Sequence, residues 1–283
     1  MSNKLTLERL IDRVEKLPAL PHVISLALRK IDDPRSSITD IARALSGDEG
    51  LVANILKLAN SAYYGFPRRV VSVTEAIVIL GLNTLKSLIY TTLAKDLLGK
   101  EVKGYSLDKG ELWRHSIACA IICREIARKR RLGDIEAFFV AGLLHDIGKI
   151  VLDEYLQPEY DEVVKKISES LEPFNVIEKQ LLGFDHQEAG GLLAKRWNLP
   201  EFLISAISNH HEPEKMVAVS SKVVHIGDSI TLMMGYGVGI DGLMYSLSGN
   251  ILEEFGFADE SSLENFISYV DNLLTAAYQF FEL

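Results

Sequence analysis

Cysteine is nearly absent from this chain, positive charge is in deficit, and neither a long uncharged apolar run nor a train of alternating strand-like segments occurs. Each absence excludes something. The only cysteines, Cys119 and Cys123, stand four positions apart in an apolar run, which suits one buried helix face and supplies no disulfide framework or thiolate metal site. Lys and Arg number 30 against 39 Asp and Glu, and the net charge of -9 argues against general affinity for nucleic acid or anionic lipid. No basic n-region leads into an apolar stretch, and no uncharged run approaches the roughly 20 residues of a membrane span. A cytoplasmic chain with no membrane partner is expected. There is no tandem repeat and no low-complexity tract.

What is present is helical periodicity, in a chain of 283 residues with 48% hydrophobic content, enough for a large core. The spacing predicts helices over 5–17, 22–31, 37–45, a stretch capped by Asp48 and ending at Asn60, one opened by the capping-box form Ser72-Val73-Thr74-Glu75, and one capped by Asn83 that runs to Leu98. Gly99 to Ser106 then interrupts the rhythm with two glycines and several charges. This gives an expected boundary, with an N-terminal helical unit over 1–103 and a second over 104–283. Beyond it the predicted helices lengthen: 107–130, 134–155, 160–171, 173–182, 186–197, 200–210, 215–234 and 264 to the end. An all-α fold follows. Gly235-Tyr236-Gly237-Val238-Gly239 is expected to be a flexible connection, since no strand precedes it and its spacing is no nucleotide fingerprint.

The second unit carries the chemistry. Ala137 to Leu144 is apolar on every side and delivers His145-Asp146 into a buried setting, where an isolated carboxylate costs several kcal/mol unless paired or bound to a cation. Metal ligation answers that need. Six of the seven histidines lie beyond the boundary, and His115, His145-Asp146, His186, His210-His211 and Asp228 are too far apart in sequence for a local zinc knuckle. Ligands would converge from several helices, as in bundle-core sites. Imidazole and carboxylate without thiolate favour two divalent ions, iron or manganese first and zinc or magnesium as alternatives. Asp185 and Glu188 have capping-box spacing and would fix His186 in a first helical turn. Lys149, three residues after Asp146, is placed to aim its ammonium at a phosphate. His225 is either an ordinary core histidine or an outer partner of Asp228.

That order of ligands resembles the HD superfamily of metal-dependent phosphohydrolases, and in particular its HD-GYP branch, which hydrolyses cyclic di-GMP. The N-terminal unit narrows the match. Leu17-Pro18-Ala19-Leu20-Pro21, the run Ala53-Asn54-Ile55-Leu56-Lys57-Leu58-Ala59-Asn60-Ser61-Ala62-Tyr63-Tyr64-Gly65, and Val73-Thr74-Glu75-Ala76-Ile77-Val78-Ile79-Leu80-Gly81 are similar to the hallmarks of HDOD, the HD-related output domain of bacterial signalling proteins. The resemblance implies one ion on His115, His145, Asp146 and Asp228, and a second on His186, His210, His211 and the bridging Asp146. Asp146 and Lys149 are the expected catalytic residues. Many HDOD chains have lost these ligands, and this one keeps each of them. Glu212-Pro213-Glu214-Lys215 stands where an HD-GYP enzyme has its glycine-tyrosine-proline loop, which weakens a cyclic di-GMP assignment and leaves metal binding untouched.

Two functions compete at this point. One is a metal-dependent phosphohydrolase; the other is a non-catalytic signalling scaffold that binds a partner protein or a nucleotide, cyclic ones included. The aromatic loop Tyr63-Tyr64-Gly65-Phe66-Pro67 is either packing or a contact surface. Two further features take their plainer readings. The helix pair over 39–60 has helix-turn-helix spacing, but Asp48 and Glu49 open its second helix where phosphate would approach, so nucleic acid is not an expected partner. Arg124, Arg128, Lys129, Arg130 and Arg131 are expected to form a solvated helix end.

Overall fold

The structure is a computed structural model that describes residues 10, 12, 19–61, 65, 68–169, 172–212, 215–242, 245 and 247–281. The expected helix over 5–17 and the expected aromatic loop of residues 63–67 lie outside these residues apart from isolated positions, as do Pro213 and Glu214. Among the described residues the fold is all-helical; its one β-feature is an isolated antiparallel bridge between Val102 and Leu107.

The N-terminal helices are α1 (His22–Asp32), α2 (Ile38–Leu45), α3 (Glu49–Ala59), α4 (Val73–Leu80) and α5 (Leu82–Leu98). Local chemistry explains their ends. Ser37 and Asp40 make a reciprocal capping box on α2, and Asp48 caps α3 through the Leu51 amide. Ser72 accepts from the Glu75 amide, but the Glu75 carboxylate reaches Val71 rather than Ser72, so that cap is one-sided. Gly81, with φ of 82°, ends α4 and directly starts α5; Asn83 lies inside α5 and does not cap it. A left-handed glycine turns the chain tightly enough to abut two helices with no linker.

After a 3-10 turn at Lys103–Tyr105 come α6 (Glu111–Arg130), α7 (Ile135–Leu144), α8 (Ile147–Leu156), α9 (Tyr160–Glu169), α10 (Phe174–Leu182), α11 (His186–Arg196), α12 (Glu201–Asn209), α13 (Val219–Met233), α14 (Gly249–Glu254) and α15 (Glu260–Phe281). The axis of this part is α6, buried from Leu112 to Ala127 and packed against α5, α7, α13 and α15. Cys119 and Cys123 are buried on it as free thiols. The basic end of α6 is solvated as expected at Arg128, Lys129 and Arg131, and Arg124 is the exception. Arg124 is buried between Glu125 and Glu136 and over the Phe139 ring, while Lys129 and Arg130 also lie on Phe257.

The largest departure from expectation is at residues 134–155, predicted as one helix. It is two, α7 and α8, broken at His145-Asp146, where Asp146 adopts φ -96° and ψ 13°. Nothing in the apolar pattern marks this break. A tertiary contact accompanies it: a methyl group at Gly148 would overlap the His186 carbonyl, so the first turns of α8 and α11 touch backbone to backbone.

Candidate metal centre

Five elements converge on one interior point. The α7–α8 break supplies His145 and Asp146, the first turn of α11 supplies His186, the C-terminal end of α12 supplies His210 and His211, and α6 and α13 contribute His115 and Asp228 from their buried faces. The Asp185–Glu188 capping box is complete and holds His186 at the helix start, as its spacing foretold. None of these seven side chains is more than 8% exposed. Their donor atoms fall into two groups, each with ligand atoms within 4.8 Å of one another: Asp146, His186, His210 and His211, and His115, His145 and Asp228.

The outer ring nitrogens define the tautomers. His115 Nδ1 donates to the Tyr236 carbonyl at 3.0 Å, His145 Nδ1 to Gly142 at 2.7 Å, and His210 Nδ1 to Ile207 at 3.0 Å. His186 Nδ1 donates to Glu178 Oε2 at 2.7 Å. With the proton on Nδ1, each Nε2 presents a lone pair inward. Those lone pairs meet other acceptors. His115 Nε2 stands 3.2 Å from His145 Nε2 and 2.9 Å from Asp228 Oδ1. His186 Nε2 and His210 Nε2 approach Asp146 Oδ1 at 3.6 and 3.8 Å, too far for hydrogen bonds. Asp146 Oδ1, Asp228 Oδ2, His186 Nε2, His210 Nε2 and His211 Nδ1 are buried with no hydrogen-bond partner. These acceptors have no donor of their own, since Lys149 meets Asp146 only at Oδ2, and such buried atoms require protons or cations. The donor set therefore fits metal: imidazole nitrogens and carboxylate oxygens, with their outer atoms already tied down.

The titration behaviour carries the same message. Burial opposes charge on His145, yet the Asp146 carboxylate beside it outweighs burial and lifts its pKa well above the ordinary value. His186 is likewise raised, against burial, by Glu178. Burial lowers His210 to about 4, and burial with the neighbouring His210 puts His211 well below its usual value. Asp146 and Asp228 resist burial and sit well below the carboxylate range, the first through Lys149 and His145, the second through His115 and His145.

Several residues with no sequence signal complete the interior. Glu178, fully buried on α10, accepts from the His186 amide, from His186 Nδ1 and from the Tyr105 hydroxyl. Gln187 accepts the His211 amide at 2.8 Å. Lys149 is 3% exposed; its Nζ lies 2.7 Å from Asp146 Oδ2 and 2.6 Å from Asp241 Oδ2, and Asp241 was not among the expected site residues. Tyr245 lies flat on His211, with ring centroids 3.6 Å apart and planes 2° from parallel. A glutamate on an amphipathic helix and an aspartate in a glycine-rich loop both read as solvent-facing in the sequence; only the tertiary fold turns them inward.

Of the two readings of His225, that of a core histidine holds: it is buried, its Nδ1 donates to the His210 carbonyl at 2.8 Å and its Nε2 accepts from the Ser248 amide at 3.1 Å, so it braces the His210-His211 turn. The glycine-rich 235–239 segment is not the loose connection expected. A side chain at Gly237 would overlap the Glu111 carbonyl, which shows how closely this segment packs on α6.

Residues 17–213 match the family model of the HDOD domain. A Treponema pallidum (strain Nichols) protein of uncharacterized function is 30% identical over 235 residues, 79% of this chain and 44% of its own length. The chain thus spans less than half the length of the curated relatives it matches. Among solved structures, an HDOD domain protein of unknown function from Geobacter sulfurreducens is 28% identical with a TM-score of 0.70, covering 95% of this chain and 99% of that one. A candidate phosphohydrolase from Shewanella amazonensis SB2B is 25% identical with a TM-score of 0.72, covering 96% and 97%. On the family match, and with an all-helical fold shared along nearly the whole chain, this protein belongs to the HDOD domain family.

Proposed function

We propose that this HDOD chain acts in bacterial signal transduction as a metal-dependent phosphohydrolase, with a phosphodiester as the substrate class. The observation that carries the reading is the inward-facing set of acceptors, four imidazole Nε2 atoms and the buried oxygens of Asp146 and Asp228, whose outer atoms are already bonded. His115, His145 and Asp228 would hold one divalent ion, and His186, His210 and His211 a second, with Asp146 between them. Iron or manganese suits this donor set best, zinc or magnesium next. When bound, such a pair neutralises phosphoryl oxygens and lowers the pKa of a coordinated water.

Charge supports two ions over one. Four carboxyl groups, Asp146, Asp228, Asp241 and Glu178, share this interior with the single ammonium of Lys149. One divalent ion leaves the interior negative and repels an anion, whereas two leave it with a positive charge that a phosphodiester monoanion cancels. Lys149 orients Asp146 through Oδ2 and is the cation that a phosphoryl oxygen would meet. Asp146 is thereby assigned to metal bridging and Lys149 to charge stabilisation. Purified chain with Mn2+ or Fe2+ should hydrolyse bis-p-nitrophenyl phosphate, and Asp146→Ala should abolish that activity. No turnover across a panel of phosphodiesters, nucleotides and cyclic dinucleotides would reject the enzymatic reading.

The deep burial of every donor favours one second reading, a signalling scaffold in which the ions stabilise the folded chain and the ligand is a partner protein or nucleotide. In that reading residues 1–103 form the partner-facing unit and 104–283 the metal-bearing one. A chelator that lowers Tm in a protein with no turnover separates the two.

A further inference from the structure

We propose that Tyr105 is a positioning residue for the metal centre: its hydroxyl fixes the plane of the Glu178 carboxylate, which in turn holds the His186 ring with Nε2 facing inward. The inference rests on the metal-centre reading above for its consequence, a tighter ion on the His186 side. It gives a role to a residue outside both groups of candidate ligands.

A glutamate does not orient its own carboxyl group. The torsion that turns the group is broad and roughly two-fold, so the plane is set by whatever bonds the oxygens. Glu178 is fully buried on α10, and three donors fill its two oxygens. The His186 amide and His186 Nδ1 both reach Oε2, at 3.1 and 2.7 Å, and the Tyr105 hydroxyl is the one donor to Oε1 among the described residues. Burial and the Glu178 charge push the Tyr105 hydroxyl well above its usual pKa, so it keeps its proton and donates. With both oxygens bonded the carboxylate is held in one plane, and His186 Nδ1 keeps a fixed acceptor in line. Removing the hydroxyl leaves a buried carboxylate oxygen without its donor and frees the group to turn.

Tyr105 is itself held by elements other than the ligand side chains. It closes the 3-10 turn at Lys103–Tyr105, inside a pair of main-chain bonds of 2.9 and 3.1 Å between Val102 and Leu107. The Gly104 amide donates to Asp153 Oδ1 at 2.7 Å. A methyl group at Gly104 would overlap the Leu156 Cβ and the Asp153 carbonyl, so the turn is seated directly on α8. The Tyr105 ring has no exposed surface and packs against Phe174 at the start of α10, with centroids 5.8 Å apart. Packing on α8 and α10 thus places the hydroxyl, and an outer partner locked in this way is what keeps a ligand to its geometry. A tyrosine that merely filled this space would do as well as phenylalanine.

The test uses the full chain and the variants Tyr105→Phe, Glu178→Gln and the two combined. Phenylalanine keeps the ring against Phe174 and removes only the hydroxyl, so the packing is retained. Mn2+ binding is read by competition with a chromophoric chelator. In metal-free chain carrying isotope-labelled histidine, the His186 Nδ1 proton is followed by NMR. Tyr105→Phe should weaken the ion on the His186, His210 and His211 side about tenfold and leave the His115, His145 and Asp228 side unchanged. In the Glu178→Gln background it should weaken nothing further, because the hydroxyl acts through the carboxylate. The His186 Nδ1 proton should move upfield in Tyr105→Phe as its bond to the carboxylate slackens, while those of His115, His145 and His210 stay in place. Equal Mn2+ affinity in parent and Tyr105→Phe, weakening of both sides alike, or additive loss in the double variant would overturn the positioning role. A parent that binds no Mn2+ would sink the metal-centre reading, and the His186 proton then decides separately: unmoved in Tyr105→Phe, it overturns the hold on Glu178; shifted, it upholds it.

Discussion

At the scale of single residues, the chemistry of this protein lies in which nitrogen of each imidazole is free. Glu178 fixes that choice for His186, whereas main-chain carbonyls fix it for His115, His145 and His210. A carboxylate backing makes His186 the stronger donor, so Glu178→Gln should weaken the ion on the His186, His210 and His211 side by about 10- to 100-fold and spare the other. Competition titration with a chromophoric chelator would read two unequal steps; equal weakening of both would contradict the assignment. The pKa directions add a pH dependence. His145 and His186, raised above the ordinary histidine value, hold protons that a metal must displace, while His210 and His211, lowered below it, offer free nitrogens at neutral pH. Metal affinity should therefore fall as pH drops through and below the raised pair, with proton release on binding measurable in weakly buffered solution. Affinity independent of pH between 6 and 8 (about the range where histidine responds) would contradict this.

At the scale of elements, the site depends on a broken helix. The backbone contact between α8 and α11 places Asp146 beside His186, and it leaves no room for a side chain at position 148. Gly148→Ala should cost about 1–3 kcal/mol and lower metal affinity along with Tm. Ser72→Ala, which removes the α4 cap, serves as a control: it should cost about 1 kcal/mol and leave the metal stoichiometry unchanged. Thermal unfolding of both, with and without Mn2+, distinguishes a site defect from a stability defect. Element scale is also where the sequence was least readable. The candidate ligands His115, His145, Asp146, His186, His210, His211 and Asp228 stood out because polar groups interrupt apolar runs, and the box at Asp185 was legible because its two partners are local. The break at His145-Asp146 was not, since apolar residues continue on both sides and the contact beside it is made with a distant helix. Asp241 and Glu178 escaped for the same reason: burial of a lone acid is a property of the fold.

At the scale of the whole molecule, one buried apolar cluster runs from the N-terminal helices through α6 to α15, so loss of the metal centre should be felt throughout. No described helix is long and apolar enough to cross a membrane. Removing the ions should lower Tm and restoring them should raise it in a concentration-dependent way, because a ligand held only by the folded state stabilises it by mass action. A Tm unmoved by EDTA would mean that the buried acceptors are satisfied by protons instead.

The most direct test of the metal centre is elemental mass spectrometry on purified chain, with Asp146→Ala alongside. About two iron or manganese ions per chain are expected in the parent, with most of that content lost in the variant. No bound transition metal in the parent, even after expression with added iron and manganese, would contradict the assignment.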